Sequence, residues 1–209
     1  MYVKHELQSI ISGNGIVRHG ETIQAIANYI RRKKETISKP EKTKHFKNEE
    51  AEILKSFISA NRLWIDFIPE TSYIGEGAEQ KIYEATDPQH IIKLNDTIFY
   101  ESWLDYFHSL LLHNFFFPHL AYELIGFHYD EKLFAVVKQA YVKSTQATNL
   151  ENVREFLAAN GFIRTKINDY YNPQLGTEEA HNSATGENFT FSQNAWNETG
   201  PQGPGYYVP

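Results

Sequence analysis

The chain has no cysteine among its 209 residues, which removes disulfide frameworks, cysteine-ligated zinc and thiol nucleophiles together. A cysteine-free chain suits a reducing compartment. Long apolar runs are lacking as well. Met1 is followed by Tyr-Val-Lys-His-Glu, not by an apolar stretch of the secretory kind. The greasiest segment, residues 110–120, is broken by two histidines, an asparagine and a proline, and is far too short to span a bilayer. The expectation is a soluble, cytoplasmic protein with no membrane partner.

Basic residues and acidic residues are scarce in different places. Residues 1–68 carry 12 Lys/Arg and 8 Asp/Glu, whereas residues 69–209 carry 8 and 18, so the net charge of −6 conceals a basic beginning and an acidic remainder. An acidic chain makes a poor non-specific nucleic-acid binder. The run Arg31-Arg32-Lys33-Lys34 reads as a solvated helix end. Towards the C-terminus the shortages multiply. Lys166 is the last lysine or arginine, Asp169 the last aspartate, and from Pro173 onward the only branched aliphatics are Leu175 and Val208. Such a segment buries too little apolar surface to offset its ordering entropy, so residues 177–209 are expected to form a disordered tail.

What is present is enough for a core: 41% of residues are hydrophobic and 14% aromatic. Ile23, Ile26, Ala27 and Ile30 recur at helical spacing and predict a helix from residue 20 to about 36. Pro40 lies beyond its end. After a charged linker, Ile53, Leu54, Phe57 and Ile58 predict a second helix from about 48 to 60. The period then switches to two. Strands are expected on either side of Gly75-Glu76-Gly77-Ala78, at residues 90–94, at 121–127 and at 133–142. A helix is expected from 96 to about 114, with Phe99, Trp103, Phe107, Leu110 and Leu111 on one side, and another from 149 to 160 stopped by Gly161.

Three of these features can carry chemistry. Gly75 and Gly77 allow backbone amides to approach phosphate oxygens with no Cβ in the way. Lys93 ends a strand 18 residues after Gly75 and offers a compact cation on a flexible stem. A carboxylate from the next helix would complete it; Glu101 and Asp105, one helical turn apart, could each face inward, and Glu101 is preferred because its longer arm reaches further across to a neighbouring strand. Backbone groups around Gln139 and Tyr141, where the last strand leaves the sheet, are placed to meet the edge of a base. The histidines show no metal-ligand spacing: His108, His113 and His119 lie five and six apart.

The order of strand, glycine turn, strand, strand with lysine, helix, strand, strand, helix resembles the small lobe of a protein kinase followed by the first large-lobe helix. The runs Ile74-Gly75-Glu76-Gly77-Ala78-Glu79-Gln80-Lys81, Ile92-Lys93-Leu94-Asn95-Asp96, Trp103-Leu104-Asp105-Tyr106-Phe107 and Ala121-Tyr122-Glu123-Leu124-Ile125-Gly126-Phe127 look like a narrower family. That family is the kinase-like domain found in large polyvalent proteins of phages and conjugative elements, abundant in gut Bacteroidetes. The likeness covers roughly residues 16–176. It implies an α+β fold with a helical extension at 1–68, a kinase-like small lobe at 69–143 and the start of a large lobe at 144–176.

The resemblance further implies ATP at Gly75, Gly77 and Lys93, magnesium with it, and transfer of the γ-phosphate to a protein hydroxyl. Past Gly176 the likeness stops. His181 and Asn188 have the His-to-Asn spacing of a kinase catalytic loop, but Ser183 stands where the proton-accepting aspartate belongs, and no later aspartate exists to hold magnesium. A truncated or frameshifted pseudokinase is one expectation. A non-catalytic interaction module of a mobile element, binding a host or phage protein, is the other. An incomplete large lobe would leave the apolar face of the helix at 149–160 uncovered and drive association.

Overall fold

The structure is a computed structural model that describes residues 3–37, 46–77, 79–141, 150–164, 169–171 and 190–192. These fall into two compact units, one built from residues 10–141 and the other from 3–9 with the described residues after 150. The class is α+β, with a five-stranded antiparallel sheet and several helices, as a kinase-like small lobe requires.

The first helix, α1 (Val3–Ile11), was not anticipated, although Leu7, Ile10 and Ile11 carry a helical spacing. α2 (Gly20–Ile37) and α3 (Phe46–Ala60) occupy the two predicted positions. β1 (Tyr73–Glu76), β2 (Lys81–Glu84), β3 (His90–Asn95), β4 (Glu123–Asp130) and β5 (Lys132–Ala140) make the sheet, in the order β1-β2-β3-β5-β4. Between β3 and β4 lies α4 (Trp103–Phe116).

α4 starts seven residues later than expected, and the reason is local. Asn95 Oδ1 accepts the Thr97 N–H at 2.6 Å and Asp96 Oδ1 accepts the Ile98 N–H at 3.1 Å. These side chains offer the backbone turns that compete with helix formation. Ser102, in extended conformation, then caps α4 by accepting the Asp105 N–H at 3.0 Å. Phe99, expected on the inner side of that helix, is instead exposed in the connection.

One face of the sheet packs on α4, which in turn packs on α2 and α3. Ile23, Ile26 and Ile30 of α2, Leu54 and Ile58 of α3, Trp103 and Phe107 of α4, and Leu124, Phe127 and Val137 of the sheet share a single core. α2 and α3 are therefore built into the same core as the sheet. Asn114 ties the end of α4 to both neighbours: its amide donates to Arg18 O at 3.0 Å and Tyr122 O at 2.8 Å, and accepts the Tyr122 N–H at 2.8 Å. On the other face Leu94, Phe134 and Val136 are covered by Ile65 and Ile68 from the segment after α3.

That segment runs alongside β4, with Ile65 N–H to Phe127 O and Phe127 N–H to Leu63 O, both at 2.8 Å. The pairing leaves no room at Gly126, where the β4–β5 register shifts. A Cβ there would stand 2.6 Å from Leu63 O and 2.9 Å from Ile65. Gly126→Ala is expected to cost about 2 kcal/mol in a urea melt, because the obstacle is backbone and cannot swing aside. Gly75→Ala, which meets nothing within 4 Å, should be close to neutral in the same assay.

In the other unit, α5 (Leu150–Ala159) ends as its sequence predicts. Gly161 adopts a φ of +81° and Phe162 N–H reaches back to Leu157 O at 2.9 Å, a Schellman stop. β6 (Ile163–Arg164), β7 (Asp169–Tyr171) and β8 (Thr190–Ser192) pair antiparallel in the order β6-β7-β8. Apart from Thr190–Ser192, the expected disordered tail lies outside the described residues.

Candidate functional site

The glycine hairpin comes first in chain order. Gly77 N–H closes it by donating to Gln80 O at 2.9 Å, and Gly75 pairs with Ile82 across the β1–β2 ladder. Neither glycine has a positive φ, and a Cβ at either would meet nothing within 4 Å. Backbone conformation and internal packing thus make no demand for glycine at these two positions. What a side chain there would remove is open space in front of the backbone.

Lys93 lies on the same cross-strand row. Gly75 pairs with Ile82, Ile82 with Lys93, and Lys93 with Val137. Residues paired directly across a sheet point to the same face, so Lys93 shares its face with the open space at Gly75, two strand spacings or about 10 Å away. That face is the one packed on α4. Lys93 is only 2% exposed, and its ammonium lies 5.4 Å from the centre of the Tyr122 ring. A cation over an aromatic face is partly compensated for leaving water.

The two candidate carboxylates are placed differently. Glu101 precedes α4 and is exposed, so the premise that it sits one turn before Asp105 within the helix is corrected by the later helix start. Asp105 is in the first turn, where its own N–H is held by Ser102 and its Oδ2 accepts the Glu101 N–H at 3.3 Å. This is a near relative of the capping box, and the spacing Ser102-x-x-Asp105 was available in the sequence as its signal.

At the far end of β5 the ladder sorts the backbone groups. Gln139 pairs with Ile91, and the Tyr141 N–H donates to Gln89 O at 2.7 Å, so both face β3. The alternation of an antiparallel ladder turns Ala140 to the opposite edge. β4 begins at Glu123, opposite Lys138, two residues short of that point. Ala140, rather than Tyr141, therefore directs its backbone N–H past the end of β4. The Gln139 side chain, 2% exposed, is directed inward and donates to Leu120 O at 2.8 Å. Tyr141 is nearly half exposed.

The same Leu120 carbonyl receives a second bond, from His113 Nε2 at 3.0 Å. A carbonyl only accepts, so His113 carries its proton on Nε2. Its ring lies tilted by 47° against that of Tyr122, with centroids 4.4 Å apart, and the Lys93 ammonium lies over the same Tyr122 ring. Burial drives the His113 pKa down to about 3, opposed by the Leu120 bond and reinforced by the Lys93 charge. His108 has a different assignment. Its Nε2 meets the Arg31 guanidinium at 2.7 Å and, facing a cation that only donates, acts as the acceptor. Among the described residues no group of three or more His, Asp or Glu side chains could hold a metal ion. His181 and Asn188 lie outside the described residues.

Two residues that the sequence reading passed over matter to this site. Glu50, fully buried, accepts the Leu104 N–H at 3.2 Å and pairs with Lys34 at 2.7 Å, so it joins α3 to α4 and α2. Lys47 donates to Thr97 O and, at 3.2 Å, to Tyr100 O in the connection before α4. Nothing in their local pattern distinguishes them from solvated charges on a helix face.

No curated protein and no solved structure matches the chain in these comparisons. A family model does, over residues 47–182, which is more than half of the chain and takes in α3, the five-stranded sheet and α4. The chain belongs to the family of serine/threonine/tyrosine kinases found in polyvalent proteins.

Proposed function

We propose that this kinase-like chain holds the phosphates of ATP between the Gly75–Gly77 hairpin and Lys93, and that it transfers the γ-phosphate poorly or not at all. The observation that carries the binding half is the row through Gly75, Ile82 and Lys93, with a buried ammonium at one end and unfilled space at the other. Glycines that neither packing nor backbone conformation requires fit a hairpin whose amides must come close to a ligand. ATP, when bound, supplies the group to be transferred. The chain's own residues bind and orient it: Lys93 as a point charge on the phosphates, and the N–H of Ala140 as a donor to the adenine edge.

The transfer half rests on the donor set. The family's kinases require one carboxylate to accept the substrate proton and others to hold magnesium. The last aspartate of this chain is Asp169, and where the His181-to-Asn188 spacing imitates a catalytic loop it carries Ser183 in place of the aspartate. A serine hydroxyl is no base near neutral pH. On this reading magnesium-dependent transfer is impaired.

The test is a thermal melt with and without millimolar MgATP. Binding should raise Tm by several degrees, and Lys93→Ala should weaken the affinity at least about tenfold, the loss expected for removing a charge-assisted contact. No shift in the wild-type chain would overturn nucleotide binding and leave the non-catalytic interaction module of a mobile element as the reading. Incorporation of labelled γ-phosphate into any protein, abolished by Lys93→Ala, would overturn the impaired-transfer half.

A further inference from the structure

The connection between β3 and α4 is held in a costly conformation by a helix that precedes both. Thr97 is β-branched and completely buried, yet its φ is +60°, in the left-handed region that such residues avoid. Its hydroxyl and the Asn95 Nδ2 beside it have no hydrogen-bond partner among the described residues. Strain and unpaired polar groups persist only where the surroundings over-determine them.

The surroundings here are the first turn of α3. Lys47 takes the carbonyls of Thr97 and Tyr100, while Glu50, one turn on, takes the Leu104 N–H at the start of α4. One cation and one carboxylate, a single helical turn apart, thus engage both polarities of the same backbone segment. Burial lowers the Lys47 pKa, opposed by the charges of Asp96 and Asp105. Glu50 passes the constraint on to α2 through Lys34. Two residues before Asn95, on the same face of β3, is Lys93.

We propose that α3 is a clamp that sets the position of α4 and of the β3 end, and so couples the N-terminal helices to the site at Lys93. Lys47 and Glu50 are its positioning residues. The coupling rests on the nucleotide reading above; the clamp does not. Anything that displaces α3 releases the Thr97 strain, shifts the end of β3 and withdraws Lys93 from its place.

The experiment compares full-length wild type, Lys47→Met and Lys47→Arg by amide hydrogen exchange, together with MgATP affinity. In Lys47→Met, amides 97–104 should exchange at least about tenfold faster while those of β5 stay protected. MgATP should bind about tenfold more weakly, a coupling of ordinary size, and Lys47→Arg, which keeps a donor, should restore most of both. Unchanged exchange at 97–104 would overturn the clamp, as would an equal increase across β3 and β5, which is mere loss of stability. Loosened exchange with unaltered MgATP affinity would overturn the coupling. If wild type binds no MgATP, the coupling falls with the nucleotide reading, and the exchange result still decides the clamp.

Discussion

Taking the protein from pH 7 to pH 4.5 is expected to cost it about 2–3 kcal/mol through His113 alone. The imidazole is buried and neutral, with a folded pKa of about 3 against an ordinary value of 6.5. The unfolded chain therefore takes up a proton near pH 6.5 that the folded chain refuses until about pH 3. Stability tied to this group is fully present above pH 6.5. It is lost as pH falls through the interval between the two values, at about 1.4 kcal/mol per pH unit. The carboxylates that folding makes more acidic, Asp87, Asp96 and Glu123, have ordinary values of 3.8, 3.8 and 4.5, so their own losses begin lower.

Urea melts at half-unit steps from pH 7 to 4.5 would measure this slope. His113→Phe should flatten it whatever its absolute stability, because Leu120 O keeps the Gln139 bond and the ring volume is nearly retained. A slope that survives the substitution would show that some other group titrates there.

Lys34→Ala is the second large effect, expected at about 3 kcal/mol. The Glu50 carboxylate is 1% exposed, and the substitution leaves it buried with the Leu104 N–H but without its cation. Removing one partner of a buried pair costs more than removing the pair, because the remaining charge is uncompensated. The figure sits at the low end of the usual range since Lys34 itself is 36% exposed and water can approach from its side.

Glu50→Gln removes the charge and keeps an oxygen for the Leu104 N–H, so it should cost only about 1 kcal/mol. The sign of the double variant is decisive. Lys34→Ala combined with Glu50→Gln should be more stable than Lys34→Ala alone. Simple addition of the two losses in denaturant melts would refute the account of a stranded charge.

Much of this molecule was readable from periodicity and spacing. The branched residues at helical intervals announced α2 and α3, and the glycine turn between alternating runs announced β1 and β2. Lys93 was legible as a strand lysine, although β3 does not end there but runs two residues further, to Asn95. Gly161 was legible as a stop because only a residue without Cβ takes that φ at no cost. Where local preferences compete, the reading failed. Apolar residues from Phe99 onward extended the helical pattern upstream, but Asn95 and Asp96 fold the backbone into turns first, and Ser102 starts the helix anew. The cap was written in the sequence and was outvoted by the apolar pattern.

Other features have no local signature at all. Glu50 looks like any charge on an exposed helix until α2 and α4 close over it from residues 16 and 54 positions away. His113 is one of nine histidines, and only its burial between Tyr122 and the Leu120 carbonyl makes it neutral. Gly126 sits in an ordinary strand pattern until the backbone of Leu63 arrives within 2.6 Å of where a Cβ would be. Secondary structure follows from neighbours along the chain, because dihedral preference and side-chain period act over a few residues. Charge state, strain and the need for a bare Cα follow from neighbours in space. For this chain, the residue types and order of a kinase-like small lobe belong to the first kind, and the grip of α3 on α4 belongs to the second.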